Sequence, residues 1–296
     1  MSAGALLARN SMGASVVALW RAASGLERAA IVLGLVLVLA ALAAPLLSPF
    51  GPNAQSLLAR LRPPAGFGAS AAGHWLGTDE LGRDMLARCL YGLRLTLTLA
   101  LLGTCLGLLL GVALGLLSGV AGGWVGATIR AAVDTQIAVP FTLIALLILA
   151  LLGPSLPVMV LVLGVYGWEQ YARIIDAETR RLMRMPFVEA ARAAGAGPFR
   201  IAFVHLLPNL VSSIVVQMTL SFSNIILLES SLSFLGLGVQ PPTATLGAMV
   251  GVGRDYMPTA PWIVLAPSAL ILLVTLVVQV LGDFARDRAD VRLQSR

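Results

Sequence analysis

Apolar residues run through this chain in long stretches with few or no charges, and most charged residues fall in the segments between them. Ala29 to Leu47 carries no charge and is long enough for one bilayer crossing, which takes about 20 apolar residues. Comparable runs occupy Leu95 to Leu117, Trp124 to Leu152, Leu156 to Tyr171, Leu210 to Leu228 and Pro261 to Leu281. The pattern predicts an all-α integral membrane protein with six transmembrane helices. Glycines at 103, 107, 111 and 115 recur every fourth residue in the second run, so they share a helix face and invite close packing. Pro140 inside the third run predicts a kink.

Between the first two runs, Ser48 to Gly73 is rich in proline and glycine and reads as an exposed linker. From about Thr78 the pattern becomes amphipathic. Asp79 and Glu80 suit a first helical turn, Asp84 and Arg88 are four apart, and Leu81, Met85, Cys89 and Leu93 share a face. A helix along the membrane surface is expected there, leading into the second span.

The most polar interior stretch is Met185 to Asn209, MPFVEAARAAGAGPFRIAFVHLLPN. Pro186 can open a helix and Gly195 can close it in a left-handed C′ conformation. A second short helix is expected to open at Pro198 and to end near Leu207, because a proline disfavours helical geometry at the residue before it. Glu189, Ala190, Ala191 and Ala194 give the first helix a face with little bulk, beside the apolar Phe187. Such a face suits docking into a groove of another protein, although alanines chosen for helix propensity in a plain surface connector read the same way.

Composition sharpens this picture. The chain has 296 residues, 58% of them hydrophobic and 11% charged. The net charge of +6 comes from 20 basic residues, every one an arginine. Without lysine the chain has no phosphate-loop lysine, Schiff-base lysine or lysine base. No serine-nucleophile, zinc-helix or dinucleotide fingerprint occurs either, so catalysis by this chain and cofactors held in it are not expected. His74 and His205, the two histidines, lack clustered acids or cysteines, and no metal site is predicted. Cys89 and Cys105 lie roughly 24 Å apart on one helix and read as packing residues. Arginines grouped near span ends fit a membrane topology better than nucleic-acid binding.

Glu189-Ala190-Ala191, Gly195 and Leu207-Pro208 together resemble the coupling signature of bacterial ABC-importer permeases. The string His205 to Asn209 (HLLPN) resembles the dipeptide, oligopeptide and nickel branch. Gly77 to Asp84 (GTDELGRD), Leu228 to Pro242 and Gly253 to Trp262 are similar to segments of C-type peptide-permease subunits. The resemblance covers about His74 to Leu293. It implies a type I ABC importer permease fold in a bacterial plasma (inner) membrane. It also implies a homologous second permease, two cytoplasmic ATPases that bind ATP and Mg, and an extracytoplasmic substrate-binding protein. In that reading Phe187, Glu189, Ala190, Ala191, Gly195, His205 and Pro208 contact the ATPase. The substrate is a di- or oligopeptide, with nickel or another small solute as the alternative, and its contact residues are not indicated.

Counting arginines orients the chain. With both termini cytoplasmic, 14 arginines lie inside and 6 outside. That places 1–28 as a cytoplasmic tail, 29–47 as the first span, 48–94 outside as linker and amphipathic helix, 95–282 as a five-helix core with coupling helices at 186–207, and 283–296 as a cytoplasmic tail. Ala41-Leu42-Ala43 also mimics a signal-peptide cleavage site. Glu229 at the end of the fifth run is a candidate gate or ion-pair residue, and Arg130 and Asp134 are expected to neutralise one another. A secondary transporter or channel would show ionisable groups within spans or paired broken helices, and a membrane anchor would use the 186–207 hairpin alone.

Overall fold

The computed structural model describes residue 20 and residues 23–294, with the side chains of 289–294 excepted. Much of the expected tail 1–28, with Arg9 and Arg21, lies outside the described residues, as do the last two residues of 283–296. Among the described residues the fold is all-α, and its sole extended pairing is an isolated bridge between Thr78 and Asp84.

Helix α1 (Gly25–Leu42) opens at a capping box, in which the Glu27 amide donates to Ser24 Oγ and the Ser24 amide to Glu27 Oε2. It packs on the last helix through Gly34, where a Cβ would touch Val277 at 3.0 Å.

The expected surface helix beginning near Thr78 is absent. Gly77 and Gly82 sit at φ 76° and 70°, and Asp79 accepts the amides of Leu81 and Arg83, both at 2.9 Å, so this acid shapes a turn. The helix opens later: α2 (Met85–Ala121) runs unbroken for 37 residues from its N-cap Asp84, which accepts the Ala87 amide at 2.7 Å. Asp84 also meets His74 Nδ1 at 2.8 Å, while Arg88 lies 3.3 Å from Asp79, so the expected Asp84–Arg88 pair does not form.

The glycine face of α2 is used as its spacing predicts. α3 (Gly123–Ala138) and α4 (Phe141–Leu152) follow, then α5 (Leu156–Val165) and α6 (Trp168–Leu182). A Cβ on Gly103 would sit 2.9 Å from Leu163 Cβ, one on Gly111 2.4 Å from the Trp168 carbonyl, one on Gly115 2.7 Å from that of Ala172, and one on Gly119 2.5 Å from Thr179 Cγ2. From Gly103 to Gly115 the α2 backbone lies against backbone carbonyls of α5 and α6, and Gly119 lies against the Thr179 side chain.

Two expected spans are broken. α3 and α4 meet at 85° across Pro140, so the anticipated kink is a full bend. The fourth run divides into α5 and α6 at Gly167, whose φ of 81° ends helical continuity. Among the described residues four helices are long and apolar enough to cross a membrane, and five if the bent α3–α4 pair counts as one. The other expected crossing is the divided α5–α6 segment.

The remaining elements are α7 (Pro186–Ala193), α8 (Pro198–Phe234), α9 (Leu246–Gly253) and α10 (Trp262–Gln294). The expected end of a short second helix before Pro208 does not occur, because Ile201–Leu206 forms a π-turn that carries α8 through the proline. There the Leu207 amide donates to the Ala202 carbonyl, one residue further back than in an α-helix, which makes room for a ring that would otherwise clash with the preceding turn. One large apolar core joins α1, α2, α4, α5, α8 and α10, and a smaller one lies beneath α7.

Candidate functional site

The 186–207 hairpin is built by its own local chemistry. Pro186 occupies the first turn of α7, with Met185 extended before it. At the other end, the Gly195 amide donates to the Arg192 carbonyl at 2.9 Å and the Ala196 amide to that of Ala191 at 3.0 Å. These two bonds are a Schellman closure, and Gly195 supplies the left-handed residue it requires at φ 82°. Gly197 is extended, and Pro198 opens α8.

One residue anchors α7. Val188 is completely buried among Leu116, Ile175, Leu182, Ile201, Leu206 and Leu210, which come from α2, α6 and α8. Around that anchor the surface is open and apolar: Phe187 is 40% exposed, Phe199 80% and Phe203 60%. Glu189, Ala190 and Ala194 face outward as well, and Ala191 is half-buried. Three exposed phenylalanines beside a carboxylate and bare alanines present a face able to fill a groove in another protein. His205 is half-buried in the π-turn, and its carbonyl accepts the Asn209 side-chain amide at 2.6 Å. Pro208 is exposed just beyond it.

The hairpin is tied to the bundle through α6, whose polar face binds three other helices. Asp176, buried, accepts from Ser118 Oγ at 2.8 Å, pairs with Arg180 at 2.8 Å and lies 3.6 Å from Arg130. Gln136 on α3 accepts from Trp168 Nε1 at 2.6 Å and donates to Glu169 at 2.9 Å. Gln217 and Ser213 on α8 donate to Gln170 and Glu178 at 2.9 and 2.6 Å. Arg130 therefore turns to Asp176, while Asp134 is exposed and has no ion pair among the described residues. Sequence reasoning missed Asp176, Gln136 and Gln217. The signal was the alternation of acids and glutamines with Tyr171, Ala172 and Ile175 along 168–182, which a charged extension into water does not need.

Glu229 lies far from this end of α8 and is fully buried. The ion pair expected for it is not found among the described residues. Its carboxylate accepts from Ser233 Oγ at 2.7 Å and Thr96 Oγ1 at 3.5 Å. The structure thus gathers Phe187, Glu189, the alanines, Gly195, His205 and Pro208 into one surface region and leaves Glu229 and Arg130 in separate polar clusters.

Comparison with known proteins decides what carries such a hairpin. The family model for the binding-protein-dependent transport system inner membrane component matches residues 107–291. The chain belongs to this family. The permease is 40% identical over 261 residues to the di/tripeptide transport system permease protein DppC of Pseudomonas aeruginosa, covering 88% of this chain and 86% of that one. It is 42% identical over 248 residues to the dipeptide transport system permease protein DppC of Escherichia coli, covering 84% and 83%. Its fold matches a chain of the inward-facing MetNI methionine ABC transporter with a TM-score of 0.56 at 20% identity, over 69% of this chain and 97% of that one. The permease is therefore a multi-pass inner-membrane subunit of an ABC importer with the type I fold, and is not itself the ATPase.

Proposed function

We propose that this permease forms half of the translocation pore of an ATP-driven importer of di- or oligopeptides. The observation that carries the substrate class is its 40–42% identity, over more than four-fifths of both chains, to relatives named for dipeptide and di/tripeptide transport. A homologous permease completes the pore, an extracytoplasmic binding protein delivers the peptide, and two cytoplasmic ATPases bind ATP and Mg²⁺. The exposed face of Phe187, Glu189, Ala190, Phe199 and Phe203 is the coupling surface that enters an ATPase groove. Both termini are cytoplasmic, in accord with the 14-to-6 distribution of arginines.

In this reading α7 moves with the ATPase, and its motion reaches the pore through α6. Val188 supplies the packing link, and the bonds of Asp176, Glu169, Gln170 and Glu178 carry displacement of α6 into α2, α3 and α8. The test is reconstitution of all five components in proteoliposomes with a labelled dipeptide. ATP-dependent uptake that requires the binding protein is expected. A system that hydrolyses ATP in response to nickel or another non-peptide solute, and ignores peptides, refutes the substrate assignment.

A further inference from the structure

We infer that Glu229 is a latch: its carboxylate pins the first turn of α9 against α2 and α8, and α9 is released when that carboxylate lets go. The geometry is two hydrogen-bond relays that start on α9 and converge on one side chain. In the first, the Ala248 amide donates to Thr245 Oγ1 at 3.2 Å, Thr245 Oγ1 to Ser233 Oγ at 3.4 Å, and Ser233 Oγ to Glu229 Oε1 at 2.7 Å. In the second, the Leu246 amide donates to Thr96 Oγ1 at 3.5 Å, which donates to Glu229 Oε2 at 3.5 Å.

Both relays begin at amides of an N-terminal turn, which have no carbonyl partner within their own helix. Each hydroxyl owns one proton. An ionised carboxyl group, which only accepts, sets the direction of every bond in both relays. Thr96 belongs to α2, Glu229 and Ser233 to α8, and Thr245 is the N-cap of α9, so one buried side chain joins three elements.

Little else polar holds α9. It meets α8 through glycine: a Cβ on Gly247 would lie 2.6 Å from the Ser230 carbonyl, and one on Gly251 2.9 Å from that of Phe234. That contact is short, a single turn from Gly247 to Gly251, so few atoms fix the position of the eight-residue helix. The latch supplies further restraint. Between α8, α9 and α10 an open cavity of about 520 Å³, lined by Leu227, Ser230, Phe234, Gly247, Ile271 and Thr275 among others, changes shape if α9 shifts. The place of this motion in transport rests on the importer function proposed above; the latch itself does not.

The test uses the full transporter with its partner subunits in lipid nanodiscs, read by hydrogen exchange at the Leu246 and Ala248 amides and by peptide taken up per ATP in proteoliposomes. Glu229→Ala is expected to speed exchange at both amides roughly tenfold or more and to lower uptake per ATP. Glu229→Gln is expected to stay within about threefold of wild type, because its carbonyl still accepts from Ser233 and its NH₂ can donate to the spare lone pair of Thr96. Thr96→Val cuts one relay and should release Leu246 more than Ala248; Ser233→Ala should do the reverse, and this pair decides the matter if Glu229→Ala does not assemble. Unchanged exchange in Glu229→Ala, or in both single-relay variants, overturns the latch, as does Glu229→Gln exchanging as fast as Glu229→Ala. A wild-type complex that imports no peptide refutes the importer reading, while the exchange data still decide the latch.

Discussion

Replacing Gly195 separates backbone conformation from every other property of the hairpin. The residue lies at φ 82°, yet a Cβ built on it meets no atom within 4 Å. A side chain therefore costs nothing in packing, and the whole penalty is that of forcing an L-residue into the left-handed region, roughly 1–2 kcal/mol. A difference of that size changes a two-state ratio by roughly 5- to 30-fold. Gly195→Val, β-branched and least tolerant of positive φ, should lower the population with the Schellman closure intact by about that factor. Gly195→Asn, whose side chain tolerates this region, should lose far less despite similar bulk. The readouts are ATPase co-purification and ATP-driven uptake on matched amounts of inserted protein, both depressed in Val and largely restored in Asn. Wild-type behaviour in Val, or equal damage in Val and Asn, refutes the link between this turn and ATPase docking.

Gly111→Leu should be far more damaging to assembly, since its Cβ would lie 2.4 Å from the Trp168 carbonyl and 2.5 Å from Tyr171 Cβ, an overpacking of about 1–3 kcal/mol or more; Gly197→Ala, in open space, should leave the thermal midpoint in detergent unchanged. Asp176→Asn should lower that midpoint modestly, by the equivalent of roughly 1–2 kcal/mol, because the lost charge pairs with arginines that are 36% and 49% exposed; an unchanged midpoint and unchanged uptake would show that the cluster is incidental. Reporter fusions after Asp283 should be active in the cytoplasm, and an extracytoplasmic signal would invert the proposed topology.

Much of this was legible because single residues carried unambiguous local physics. Pro186, Gly195 and Pro198 each impose one backbone geometry, and the α2 glycines announce close packing whatever their partner. Pro208 was misread because its effect depends on the turn before it, and a π-turn has no sequence signature as direct as a proline's. Asp79 misled for a related reason: an acid can serve a helix start or a turn, and Gly77 and Gly82 on either side, held at positive φ, decide for the turn. Arg130, Asp176 and Glu229 needed tertiary knowledge. Four-residue spacing made Asp134 look like the partner of Arg130, and nothing local to Glu229 indicates Thr96, 133 positions away.

The contact of α2 with α5 and α6 governs what kinds of motion remain available. Surfaces that meet through long side chains can slide, because rotamers readjust; surfaces that meet through glycine have nothing to readjust. From Gly103 to Gly119 the two partners touch along roughly 24 Å of helix axis in this way. They behave as a single strut with the hairpin fixed to one end. If α7 is the coupling surface proposed above, a thrust on it reaches α2 through this contact, and bending falls where helical continuity is interrupted: at Pro140, at Gly167 and at the π-turn before Pro208.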